Sequence, residues 1–434
     1  MKLELPYGAA TIQASMNWGH SLGTIAAADA PALAPLEAAV SEALEHPIGQ
    51  AWNIYQIVRP GETVALVVSD IFRQTRADQF LPILVNGLNR AGIPDDAMLI
   101  TFATGVHRAP TPGEQRQIVG ESLYNRFAGR LFAHDPRDES NLRRFGVTSR
   151  GTEVRLNKRV FDCDRVIVTG AVVLHYFGGF GGGRKGVLPG LAAEDTISHN
   201  HSMNLDRDSD RLDPRVRIGA LDGNPVAEDM LEGARMARVD YLVNTVLNSR
   251  SEIAGVFAGE LVAAHRKAAE FAYRQFAVHI ERQADLVIAA SPGTRNFVQT
   301  HKSLFNAYQA MRPGGVIILL AECREGLGGD QFVKWLRLRD RPSVIAGLRE
   351  RSEINGQTAL STLEKAPSAI MVTELRDEEV MLLGARKARN LDEAMEMARV
   401  RLDSALSGEP GYYVMPSAPY TVPLLAPKET HTPI

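Results

Sequence analysis

Three short apolar runs constrain the fold of this chain more than any other feature: Glu62–Ser69 (ETVALVVS), Met98–Phe102 and Val166–Val173. Each reads as a buried strand. Between the first two, Phe80, Leu81, Leu84, Val85 and Leu88 fall at helical spacing within residues 77–91. Strands alternating with helical segments are the form of an α/β fold. Each run also ends on residues that carry chemistry. The first meets Ser69-Asp70-Ile71-Phe72-Arg73, the second Thr104-Gly105-Val106-His107, and the third His175. In open α/β sheets ligands bind beyond the carboxyl ends of the strands. A lone histidine near a strand end is usually a hydrogen-bonded structural residue. Two that each terminate a buried strand, beside a glycine loop, point to a site.

That loop is His175-Tyr-Phe-Gly-Gly-Phe-Gly-Gly-Gly-Arg-Lys185-Gly-Val-Leu-Pro-Gly, followed by Glu194-Asp-Thr-Ile-Ser-His-Asn-His201. Glycines let backbone approach a ligand closely and allow positive φ. The run is not a Walker loop, because Gly186 rather than Ser or Thr follows Lys185, and no hydroxyl is placed for magnesium. It is not a dinucleotide fingerprint either, since Pro189 interrupts where a helix would open. Taken alone, the run is also compatible with a surface loop bearing a solvated Arg184–Lys185 pair. Glu194-Asp195-Thr196 marks a helix start. On such a helix His199 and His201 point apart, so at most one of them faces a site.

The block 175–201 resembles the signature of the lactate racemase family, enzymes that use a nickel-pincer nucleotide. Further segments match in order: Ser69–Arg73, Ala103–Arg108, Gly223-Asn224-Pro225-Val226 and Gln299-Thr-His-Lys302. The resemblance implies that Lys185 carries the cofactor covalently. The cofactor is a pyridinium-3-thioamide-5-thiocarboxylic acid mononucleotide with nickel. The resemblance also implies that His201 binds nickel, that His107 and His175 act as acid and base, and that Arg73, Gln299 and Lys302 hold the substrate carboxylate. Asp70 and the glycines Gly181, Gly182 and Gly183 are expected beside the cofactor. The reaction implied is inversion of C2 of a 2-hydroxy acid by hydride removal and return. Phe72 and Gln74 replace the family's Thr and Pro, and Val298, after Phe297, replaces a tyrosine. These departures lie at the expected substrate end and predict a substrate larger than lactate. Arg76, Arg108 and Arg295 are extra cations near the matched motifs; such residues beside loops are usually solvated.

A chain of 434 residues is too long for one core. A second α/β rhythm runs through Ala284–Ala290, Gly315–Leu320, Gln331–Leu338, Ser368–Glu374 and Leu391–Leu406. The expectation is two α/β domains with the active site in the cleft between them. The first is 1–280, with the tail 409–434 returning to it, and the second is 281–408. A formal net charge of −3 leaves no basic footprint for nucleic acid. No apolar stretch reaches the roughly 18–20 residues needed to span a bilayer, and no signal-peptide core opens the chain. Cys163 and Cys323 read as small buried residues in a reducing compartment, so a cytoplasmic location is expected. The partners expected are a small 2-hydroxy acid and the proteins that make the cofactor. His134 reads as a turn residue, and His20, His46, His265, His279, His301 and His431 as structural or exposed.

Two other functions use the same residues. Three histidines, His107, His175 and His201, are a common catalytic set for zinc or iron in a hydrolase, although no HExxH spacing is present. A non-catalytic nucleotide or cofactor carrier needs only the glycine loop.

Overall fold

The computed structural model describes residues 1–404 and 408–426. They form two compact units, 29–275 and 1–28 with the described residues from 276 on.

Unit 29–275 is built on a six-stranded sheet. Its order is Ile253–Gly259, Tyr241–Leu247, Arg165–Ala171, Val64–Ser69, Met98–Ala103, Leu131–Ala133. All neighbours are parallel except the edge pair 253–259 and 241–247. Residues 64–68 of the central strand are wholly buried. Parallel sheets covered on both faces demand such unbroken apolar runs. The helix Ala77–Arg90 buries Phe80, Leu81, Leu84, Val85 and Leu88 against this sheet. Each such side chain contributes about 1.5–3 kcal/mol of burial, so a charge at Leu84 would break the contact. Because strands 165–171, 64–69 and 98–103 are parallel neighbours, their carboxyl ends share one edge. The loops that follow Ser69, Ala103 and Ala171 therefore emerge side by side.

The other unit has a six-stranded, all-parallel sheet. Its order is Arg386–Ala388, Ala369–Val372, Met311–Leu320, Ala284–Ala290, Gly411–Met415, His20–Thr24. Leu286, Ile288 and Ala290 enter one core, and Val287 and Ala289 the other, the period-two alternation of a strand.

At the chain ends the division differs from the expected bounds. The tail was expected on the first domain, 1–280; Gly411–Met415 pairs with His20–Thr24, inside those bounds, and with 284–290, outside them. Tyr412 and Val414 fill one core while Tyr413 and Met415 fill the other. A strand apolar on both sides needs an interior place in a sheet. Residues 1–28, expected in the first domain, group with the described residues from 276 on, because His20–Thr24 supplies the outer neighbour of that strand. The division falls between Gln275 and Phe276, a few residues before the expected 280. The last helix runs Leu391–Asp403; Leu406, the tail beyond 426 and His431 lie outside the described residues. Among the described residues no helix is long and apolar enough to cross a membrane.

Candidate active site

Asp70 follows the central strand and is 2% exposed. Its Oδ1 accepts from the Phe72 backbone N–H, and the Arg73 N–H donates to its carbonyl, the local turn that aspartate favours. Its Oδ2 lies 2.6 Å from His107 Nδ1. His107 is placed by a second turn, its N–H donating to Thr104 O, with Gly105 at φ +54°. Gly105 N donates to Gly190 O, which ties this turn to the end of the glycine segment. The partnership of Asp70 with His107 was not foreseen; the two residues are 37 apart in sequence, and only the parallel pairing of their strands joins them.

The glycine segment folds back on its own strand. Leu174-His175 pairs with Gly179-Phe180. Phe177, fully buried, is the hub: its ring meets His175 at 4.5 Å and His201 at 4.9 Å between centroids, both edge-on. The Lys185 Nζ lies 5.1 Å from the same ring centre. His175, Lys185 and His201 are thus gathered round one aromatic side chain. A Cβ on Gly178 would sit 3.4 Å from Lys185 Nζ and 3.7 Å from His175 Nδ1, so this glycine keeps the space beside the amine open. The expected glycines have another demand on them. A Cβ on Gly182 would meet Val172 Cγ2 at 2.8 Å, and one on Gly183 would strike the His265 ring at 2.5 Å. Gly181 holds His265 Nε2 through its carbonyl at 2.9 Å. Their freedom is used for packing against the strand end.

The two basic residues of the segment part company. Arg184 is buried, donating to Gly178 O at 2.7 Å and to Ala227 O, and burial pushes its pKa down to about 10. Asn224 of the Gly-Asn-Pro-Val motif caps its helix and donates to Phe177 O at 2.8 Å. Asn244 Oδ1 accepts from Gly183 N. Arg184, Asn224, Asn244 and His265 therefore hold the loop. The signal available in sequence was only the nearness of Arg184 and the matched motif around Asn224.

His201 lies on the helix Glu194–Ser202. It is buried while His199 is exposed, as the spacing required. Burial, with the Lys185 charge in second place, pushes its pKa down to about 3, so the ring is neutral at working pH. Asn200 fixes the helix rotation by donating to Val226 O and to Asp229 Oδ2 at 2.8 Å. The buried Asp229 also accepts from Thr148 and Thr152. His134, expected in a turn, is a buried tie between Ala192 O and Asn157. Among the described residues no three His, Cys, Asp or Glu side chains come together to hold a metal ion. The three-histidine hydrolase centre is therefore not formed.

Arg73 is exposed, with one N–H on Phe72 O. Gln299 and Lys302 are exposed on the helix Phe297–Ala310 of the other unit. Asn296 caps that helix, and Gln299 Oε1 accepts from Arg295 N. His301 between them is buried, with Nε2 2.9 Å from Ser361 Oγ. The three extra arginines each meet a carboxylate: Arg76 with Asp78, Arg108 with Glu114, Arg295 with Glu325. Of the departures at the substrate end, Gln74 is turned to Ser251 Oγ. Phe297 is buried against Phe332, and Val298 packs on the core. Phe72 alone is both exposed, at 49%, and in edge contact with His107 at 4.9 Å. The Arg108 guanidinium lies 5.4 Å from its ring centre.

Comparison with known proteins gives two domain matches, a lactate racemase N-terminal domain over residues 7–213 and a lactate racemase C-terminal domain over 280–407. A lactate racemase from Lactiplantibacillus plantarum is 31% identical over 413 residues, covering 92% of this chain and 95% of its own. One from Thermoanaerobacterium thermosaccharolyticum is 30% identical over 370 residues, covering 83% and 84%. The solved structure of the lactate racemase apoprotein from the latter organism superposes with a TM-score of 0.86 at 27% identity, over 98% of this chain and 100% of that one. A protein from Thermotoga maritima shares the fold, with a TM-score of 0.64 at 17% identity, over 92% of this chain and 100% of that one.

Proposed function

The chain belongs to the lactate racemase family, and from that premise we propose that it inverts C2 of a 2-hydroxy acid through a transient 2-oxo acid. Its cofactor in this reading is a nickel-pincer nucleotide joined to Lys185. The observation that carries the reading is the gathering of Lys185, His175 and His201 around Phe177.

The residues fit such a group. Gly178 leaves space beside the Lys185 amine that a side chain would fill. His201 offers a desolvated, neutral imidazole, the form that binds a metal. When bound, the nucleotide supplies the hydride acceptor that no side chain provides.

The α-hydrogen of a hydroxycarboxylate is a poor acid, because its loss gives a dianion, so removing the hydrogen as hydride avoids that barrier. His107 and His175 then act on the hydroxyl group. Arg73 and Lys302 hold the carboxylate as a charge-assisted clamp, with Gln299 beside Lys302. Asp70 positions His107. Gly181, Gly182 and Gly183 shape the loop that presents Lys185. In place of a hydroxyl, Phe72 puts an aromatic wall beside His107, and such a change discriminates among substrates. The reading therefore includes a 2-hydroxy acid larger than lactate, and proteins of cofactor synthesis as partners. The test is a racemisation screen of the cofactor-loaded protein against a panel of 2-hydroxy acids. Turnover of a larger acid above lactate supports it. Inertness toward the whole panel refutes it.

A further inference from the structure

We infer that His107 and His175 are preset in opposite tautomers, so that His107 moves the proton while His175 presents an N–H. The geometry stands by itself; the consequence for turnover rests on the racemase reading above.

Nδ1 of His107 lies 2.6 Å from the buried Asp70 carboxylate. An ionised carboxylate only accepts. Nδ1 therefore carries a proton, and in the neutral ring Nε2 keeps its lone pair. Nδ1 of His175 meets the reverse. The backbone N–H groups of Gly178 and Phe177 point at it, at 3.2 and 3.4 Å, and an N–H only donates. Here Nδ1 keeps the lone pair, and the proton of the neutral ring sits on Nε2. These donors are fixed. Asn224 holds the Phe177 carbonyl at 2.8 Å and Arg184 holds that of Gly178 at 2.7 Å. The Phe177 ring is also packed against His201.

The two rings consequently offer different chemistry to the oxygen on C2. His107 takes the hydroxyl proton at Nε2, and the O–H electron pair stays on oxygen. Asp70 remains a carboxylate and balances the imidazolium, as a positioning residue does in a catalytic triad. His175 has no lone pair at Nε2 in its preset tautomer. It donates a hydrogen bond to the oxygen instead, as a neutral imidazole electrophile does. For His175 to act as a base, its proton must first move to Nδ1, against two N–H groups.

The test uses the full chain labelled with 15N-histidine, without cofactor, at about pH 8. Two-bond 1H–15N correlation spectra read the tautomer of each ring, with peaks assigned by His107→Gln and His175→Gln. The expected result is a protonated Nδ1 on His107 and a protonated Nε2 on His175, with Asp70→Asn moving only the His107 signals. The same tautomer on both rings overturns the inference. In the loaded enzyme, His107→Gln should lower kcat by about 10³-fold or more. His175→Gln keeps an amide N–H and should lose less than about 10²-fold, against the usual 10²–10⁴ for general acid–base groups. Equal losses overturn the division of roles. A wild-type protein that racemises nothing overturns the functional reading and leaves the spectra to decide the tautomers.

Discussion

The helices Glu194–Ser202 and Phe297–Ala310 each carry a candidate functional residue one position after a buried polar one. In the first, Asn200 is the anchor and His201 the candidate. In the second, His301 is the anchor and Lys302 the candidate. Consecutive helical residues are about 100° apart, so fixing one side chain aims the next. The outcomes differ. His201 ends desolvated and neutral against Phe177, whereas Lys302 is exposed. The difference suits a fixed ligand on the first helix and a substrate that comes and goes on the second.

The largest expected effect is on the first anchor. Asp229→Ala leaves the hydroxyls of Thr148 and Thr152 and the Asn200 amide without their shared acceptor. It should cost about 3–5 kcal/mol, since each buried unsatisfied donor costs about 1–3 kcal/mol. Urea unfolding measures this, and a loss below about 1 kcal/mol would mean the helix does not depend on that carboxylate.

Acid sharpens the comparison between units. His201 and His265 in one unit and His301 in the other all have pKa values pushed down to about 3, with burial the largest cause. Their unfolded forms take up a proton near 6.5. The unfolded state thus binds more protons between those values. The stabilisation is full above about pH 6.5 and falls as pH drops toward 3, by up to about 1.4 kcal/mol per pH unit per histidine. Unit 29–275 holds two of the three and should lose its hydrogen-exchange protection first below pH 6. Simultaneous loss, or loss in the other order, would show that the anchors are not what differs.

His301→Leu removes the bond to Ser361 and should cost about 1–3 kcal/mol. In the loaded enzyme KM should rise several-fold with kcat less affected, because Lys302 is mis-aimed rather than removed. An unchanged KM would separate His301 from the clamp. The smallest effect on stability, within about 0.5 kcal/mol, is expected for the surface change Phe72→Thr. That variant should shift the ratio of kcat/KM toward lactate and away from larger acids. A constant ratio would remove Phe72 from specificity.

The first sheet was legible because its strands are unbroken apolar runs: 64–69, 98–103 and 165–171 were expected within a few residues. The strand 284–290 and the helix 77–90 were equally clear from their periods. The return of the tail 409–434 was legible but not its destination, because being apolar on both faces says that a strand such as Gly411–Met415 is interior and not in which sheet. The histidines at the strand ends could be singled out because they terminate those runs. Their partners could not. Asp70 meets His107, and Asn200 meets Asp229, only through the order in which strands and helices assemble. Phe177, the centre of the candidate site, is one apolar letter in a glycine run, and nothing in its neighbours marks it.

The claim that joins these observations is that Lys185 is the covalent anchor at the end of the glycine loop. Its most direct test is the intact mass of the wild-type and Lys185→Ala proteins, each produced together with the enzymes that make the cofactor. The wild type should carry the nucleotide adduct and the variant none. An adduct of the same mass on Lys185→Ala would contradict the account.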